Sequence, residues 1–135
     1  MIKIKTRAEI EKMRKSGQVV AQVLNILAAA VRPGITTASL NALALEESIK
    51  RNAIPVFRNY PHPRAGRPFP GAICASVNEE VVHGIPGNRV LQDGDIISID
   101  FGVMVDGYAG DAAITVPVGE VDPRLSKLME VTEQA

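Results

Sequence analysis

A chain of 135 residues is one domain's worth, at about 100–200 residues per domain. Its hydrophobic fraction of 46% argues against disorder, and fifteen basic residues balanced by fifteen acidic ones argue against a bulk polycation that clings to nucleic acid. The one cysteine, Cys74, excludes an internal disulfide framework, and the start of the chain shows neither an export signal nor a spanning apolar run, so the reading is a cytoplasmic chain with no membrane partner.

The balance hides an asymmetry. Residues 1–67 carry 12 Lys/Arg against 4 Asp/Glu, whereas residues 68–135 carry 3 against 11. The basic half suits a phosphate-rich surface and the acidic half a cation, unless these charges simply solvate helices.

Thr6-Arg7-Ala8-Glu9 has the form of a capping box and predicts a helix from Arg7 to about Val31. Its apolar stripe runs through Ile10, Met13, Gly17, Val20, Leu24, Leu27 and Val31, and Pro33-Gly34 stops it. A second helix is expected from Thr37, through Leu40, Leu43, Ala44 and Ile49, fading at Lys50-Arg51-Asn52. Residues 58–70 hold four prolines and no period, and read as a loop. Gly71–Val77 reads as a strand, Asn78-Glu79-Glu80 as its turn, and Val81-Val82-His83 as a brief extended stretch. Two strands, 95–105 and 108–118, flank Asp106-Gly107, a strong hairpin signal. Arg124–Gln134 predicts a third helix.

A two-residue turn at Asp106-Gly107 sets Gly102 opposite Asp111. One face then carries Ile97, Ile99, Phe101, Val103, Val105, Ala112, Ile114 and Val116, all apolar and expected in the core. The other carries Asp100 and Asp111 as diagonal neighbours, about 7–8 Å apart at the backbone, among the small residues Gly102, Ala109 and Ala113. Two carboxylates at that reach repel unless a cation lies between them. The hairpin alone allows either a divalent-cation site or a solvated outer face. His83, between a short strand and a Gly/Pro-rich turn, could be aimed into a cleft and donate to a developing oxyanion, or be an ordinary surface histidine.

Val77-Asn78-Glu79, His83-Gly84-Ile85-Pro86, Ile99-Asp100-Phe101-Gly102 and Asp106-Gly107-Tyr108-Ala109-Gly110-Asp111 together resemble a type I methionine aminopeptidase. The resemblance implies an α+β pita-bread fold, with residues 1–135 as a single domain forming its N-terminal half, two long helices packed on a curved antiparallel sheet. It implies two divalent metal ions (Co, Mn, Fe, Zn or Ni), one chelated by Asp100 and both bridged by Asp111, which activate water for removal of the initiator methionine from nascent proteins. His83 is then a catalytic, substrate-binding residue that ligates no metal. Phe69, Cys74 and Tyr60 match positions lining the methionine pocket, which is apolar and polarizable as a thioether requires; Cys74 also reads as a small core residue. Tyr60 and Phe69 enclose a Pro-rich insertion, residues 61–68, relative to the family. The remaining ligands, a histidine and two glutamates, one also the general base, are expected in a second half beyond Ala135. The chain alone is therefore expected to lack turnover and to self-associate, with the ribosome surface as a partner of the basic half and no specific nucleic acid. Two alternatives accompany this reading: an Xaa-Pro aminopeptidase-like peptidase, against which the histidine segment argues, and a catalytically incomplete half-domain acting as a binding or pairing module.

Overall fold

Helix α1 (Arg7–Ala30) begins on both halves of the capping box. Glu9 N–H donates to Thr6 Oγ1 at 3.3 Å, and Thr6 N–H donates to Glu9 Oε2 at 2.7 Å. The structure is a computed structural model that describes residues 4–61 and 66–135. After α1 come α2 (Thr37–Lys50), β1 (Ile54–Pro55), β2 (Ile73–Val77), β3 (Ile96–Val105), β4 (Tyr108–Pro117) and α3 (Pro123–Gln134). The predicted helices agree with these to within a residue. No described helix is long and apolar enough to cross a membrane.

β3 organises the sheet. Along one side it pairs antiparallel with β4 over its whole length, and along the other with β2 and then β1, placed end to end. The hairpin register is the one the sequence implies, with Gly102 opposite Asp111 and Asp100 opposite Ala113. Asp106 and Gly107 both take positive φ, 51° and 80°, as a tight hairpin turn requires.

Helices α1 and α2 cover one face of the sheet, and the core lies between. Ile97, Ile99, Phe101 and Val103 of β3 are fully buried there against Val20, Val23, Leu24 and Leu27 of α1. Full burial of each such side chain stabilises the fold by about 1.5–3 kcal/mol. Gly110 permits the close approach of α1 to β4, because a Cβ there would sit 2.7 Å from Gly17 N. Beside it, Ser16 Oγ donates to the Tyr108 carbonyl at 2.7 Å.

Several expectations need correction. In α1 it is Ser16, not Gly17, that faces the sheet, and Ile10 and Met13 are exposed because the first turns project past the core. In α2, Ile49 is 76% exposed while Glu47 is buried, its carboxylate neutralised by Lys50 and Arg51. Of the hairpin's apolar face, Val105, Ile114 and Val116 are half-buried and Ala112 is exposed, so the fully buried layer is centred on β3. Val81-Val82-His83 forms no extended stretch: it continues the turn, with His83 in the left-handed region. Of the loop read over 58–70, residues 62–65 lie outside the described residues.

Candidate active site

The site occupies the sheet face opposite the helices. Alternation along β3 turns Asp100 away from the core, and the cross-strand register brings Asp111 to the same side. Between them Gly102 leaves a gap filled from outside the hairpin: a Cβ there would meet Val56 Cγ2 at 2.8 Å, Phe57 Cε1 at 3.3 Å and Asp111 Cγ at 3.4 Å. β1 delivers those two side chains. Pro55 pairs with Val103, and Val56 N–H donates to the Gly102 carbonyl at 3.0 Å.

A cavity of about 440 Å³ opens here, lined by Val56, Phe57, Tyr60, Pro61, Phe69, Cys74, His83, Asp100 and Asp111. All six residues singled out from the sequence thus share one pocket. Its walls are mostly apolar, with an imidazole and two carboxylates converging on it, the usual composition of a small-molecule or side-chain site. Val56, Phe57 and Pro61 escaped the sequence reading. The available signal was the small residue at Gly102 between two aspartates, which marks a place where another segment comes close.

Two backbone hydrogen bonds tie the pocket aromatics together across the base of the Pro-rich loop. Asn59 N–H donates to the Phe69 carbonyl at 2.8 Å and Phe69 N–H to the Tyr60 carbonyl at 3.0 Å. These bonds close a neck at the base of the loop and hold Tyr60 beside Phe69, both on the cavity wall.

Burial, the neighbouring Asp111 charge and hydrogen bonding with Asp111 raise the Asp100 carboxyl to about 6, opposed by His83. Among the described residues no lysine or arginine forms an ion pair with either aspartate. Cys74, opposite Asp100 on β2, has its thiol pushed up to about 11, first by burial and then by Asp100 and Asp111. It is an un-ionised wall residue, not a nucleophile. Two hard, uncompensated oxygen donors suit a divalent cation. They form only part of a coordination shell, because among the described residues no cluster of three or more His, Cys, Asp or Glu is placed to hold a metal.

His83 reaches the pocket from an unusual backbone. Its φ is +59°, a region uncommon for non-glycine residues, which among the described residues Asn52, Asn59, Asn78 and Asp106 also occupy; histidine, like Asn and Asp, is enriched there. Glu79 and Glu80 stay in the turn, with Arg89 at 3.9 and 3.8 Å, and Glu80 Oε2 accepts from Val77 N–H at 2.8 Å. Neither belongs to the cavity lining.

Helices behind the sheet and a carboxylate pair in front make up the arrangement of the pita-bread fold. The model of metallopeptidase family M24 matches residues 11–135, and the chain belongs to that family. Membership implies divalent metal ions in the working site. The chain is 47% identical over 135 residues to the methionine aminopeptidase of Aquifex aeolicus, covering 99% of this chain and 52% of that protein. Among solved structures it is similar to methionine aminopeptidase from Rickettsia prowazekii, with a TM-score of 0.92 and 40% identity, covering 99% of this chain and 52% of that one. X-Pro aminopeptidase from Thermotoga maritima shares the fold at a TM-score of 0.76 and 21% identity, over 97% of this chain and 34% of that one. The chain spans about half the length of the curated relatives it matches.

Proposed function

We propose that residues 1–135 form the N-terminal half of the catalytic domain of a methionine aminopeptidase, which removes the initiator methionine of nascent proteins. The observation that carries this reading is the convergence of Asp100, Asp111 and His83 on a cavity walled by Phe57, Tyr60, Phe69 and Cys74. Similarity at 47% identity to a methionine aminopeptidase supports it over the Xaa-Pro alternative, whose 21% likeness shows the fold alone.

In this reading Asp100 and Asp111 would be the residues of this chain that hold divalent metal, two ions in number. Bound there, the metal supplies Lewis-acid polarisation of the scissile carbonyl and lowers the pKa of water. His83 holds the first peptide group by hydrogen bonding and stabilises charge developing on its oxygen. The aromatic and thiol walls take the thioether side chain, whose polarizable sulfur suits contact with rings. The remaining ligands and the general base come from a further segment. The same reading gives the basic half a phosphate-rich partner such as the ribosome surface, although Arg14, Lys15, Lys50 and Arg51 are already paired with acidic residues. It makes the outer edge of β4, with α3, the surface for pairing with that segment or a second copy.

The test compares hydrolysis of Met-Ala-Ser and of Xaa-Pro peptides by the full-length protein with added manganese or cobalt. Cleavage of the methionyl peptide that falls about 10²–10⁴-fold in His83→Ala, with metal content unchanged, is expected. Preference for the Xaa-Pro peptide, or metal loss in His83→Ala, would overturn the reading.

A further inference from the structure

Ser76 is almost fully buried on β2, faces the same side of the sheet as Asp100, and does not line the cavity. Its hydroxyl has a particular partner. Gly84 N–H donates to Ser76 Oγ at 3.0 Å, while Ala75 N–H donates to the Gly84 carbonyl at 2.9 Å. Gly84 is thus held through both of its backbone polar groups to two consecutive residues of β2. The approach is closer than any side chain allows: a Cβ at Gly84 would overlap the Ala75 carbonyl and lie 2.8 Å from Ser76 Cα.

The residue just before this clamp is His83, at φ +59°. Positive φ is uncommon for a residue with a Cβ, and such positions persist where neighbouring structure over-determines them. Here the determinants on the C-terminal side are the two Gly84 bonds. One comes from the sheet backbone and survives any substitution. The other depends on a single hydroxyl.

We infer that Ser76 is a positioning residue: by accepting the Gly84 N–H it fixes the peptide plane that follows His83 and thereby helps aim the imidazole into the cavity. The inference rests on the proposed role of His83 in peptide hydrolysis, but its structural half stands on the clamp alone. Without the hydroxyl, the buried Gly84 N–H loses its acceptor, an unfavourable state that favours movement of the segment off β2. The peptide plane after His83 is then free to turn, and the ring leaves the cavity it lines with Asp100.

The experiment is a mutant cycle in the full-length protein, read both by amide hydrogen exchange and by methionyl-peptide hydrolysis. Ser76→Ala should lose protection at Gly84 N–H and lower kcat by about 10–10²-fold, the scale of a small misplacement, with KM little changed. Ser76→Thr, which keeps the hydroxyl, should restore both. In a His83→Ala background, Ser76→Ala should have no further effect on kcat, because there is no imidazole left to aim. Gly84→Ala should reproduce the loss by pushing the same segment away from the Ala75 carbonyl. Equal losses of kcat in both backgrounds, unaltered Gly84 protection in Ser76→Ala, or outright unfolding of that variant would overturn the inference and leave Ser76 a purely structural serine. A wild-type protein without methionyl-peptide turnover would defeat the proposed function instead, and the exchange data would still decide the clamp.

Discussion

On the helix side of β3, Ile97, Ile99, Phe101 and Val103 are fully buried under α1, each filling space that a smaller residue would leave empty. On the opposite side, Asp100 is half-exposed and lies beside Gly102, with Cys74 across the ladder and Asp111 diagonal to it. The two sets alternate along one strand, so every second residue answers to a different requirement. The helix side stores stability by close packing. The cavity side gives some back, since it holds two carboxylates together with no lysine or arginine partner among the described residues and a histidine at positive φ. A fold that separates these demands by the pleat of a single hairpin predicts that substitutions will divide cleanly by face.

The largest effect belongs to the cavity side. Asp111→Ala in the full-length protein should remove several kcal/mol of transition-state stabilisation, roughly 10³-fold or more in turnover. The same change should leave thermal stability without metal equal or higher, because a repelling charge is gone. Activity assay and melting in chelator, run on one sample, check the pair of outcomes. Unchanged turnover and metal stoichiometry would break the comparison at its functional end.

Next comes the helix side. Phe101→Ala empties a site with no solvent exposure, and such truncations cost about 3–5 kcal/mol. Urea denaturation should show a much lower midpoint. An unfolding free energy within a fraction of a kcal/mol of wild type would mean that the ring is not part of the packed layer.

The hairpin was the most legible part of the molecule, because one turn dipeptide and strict alternation fix a register with no free parameter. Asp100, Asp111 and their shared face follow from it directly. Helix limits were legible for a similar local reason, as Thr6 with Glu9 marks the start of α1 and Pro33-Gly34 lies just past its end. Long-range features were not. Val56 and Phe57 reach the cavity only because the two-residue β1 pairs with the far end of β3, a contact with no local signature. Glu47 is buried where Ile49 was expected, because Lys50 and Arg51 supply its countercharge from the next helical turn. Gly84, next to His83, is bonded to Ser76 and Ala75 of β2, a contact that no reading of the turn alone would reveal.

A smaller effect tests how closely the layers fit. Gly110→Ala would place a methyl 2.7 Å from the backbone of Ser16 and Gly17, so α1 must lift from β4. Overpacking of this kind costs about 1–3 kcal/mol. The Ser16 hydroxyl bond to the Tyr108 carbonyl should weaken with it, which faster exchange in the first half of α1 would register. Wild-type stability in Gly110→Ala would show that the contact has slack.

The smallest effect is the one that depends on pH. Asp100 has its carboxyl raised from 3.8 to about 6, chiefly by burial and then by Asp111. A carboxyl with a raised folded pKa binds its proton more tightly in the folded state than in the unfolded one. Its favourable contribution is therefore present below the unfolded pKa and is lost as pH rises through the folded value. Asp100→Asn, which stays neutral at every pH, should melt at the same temperature as wild type near pH 3.5 and higher near pH 7 in chelator, with the gap opening between about pH 4 and 6. Solvent screening of this half-exposed group reduces the gain to about 1 kcal/mol. Divalent metal should close the gap by stabilising the wild type alone, since the ion replaces the proton as the charge between the two aspartates. A difference in melting temperature that is the same at both pH values would show that asparagine acts through packing, and that the cavity side gives up no stability to hold its two charges.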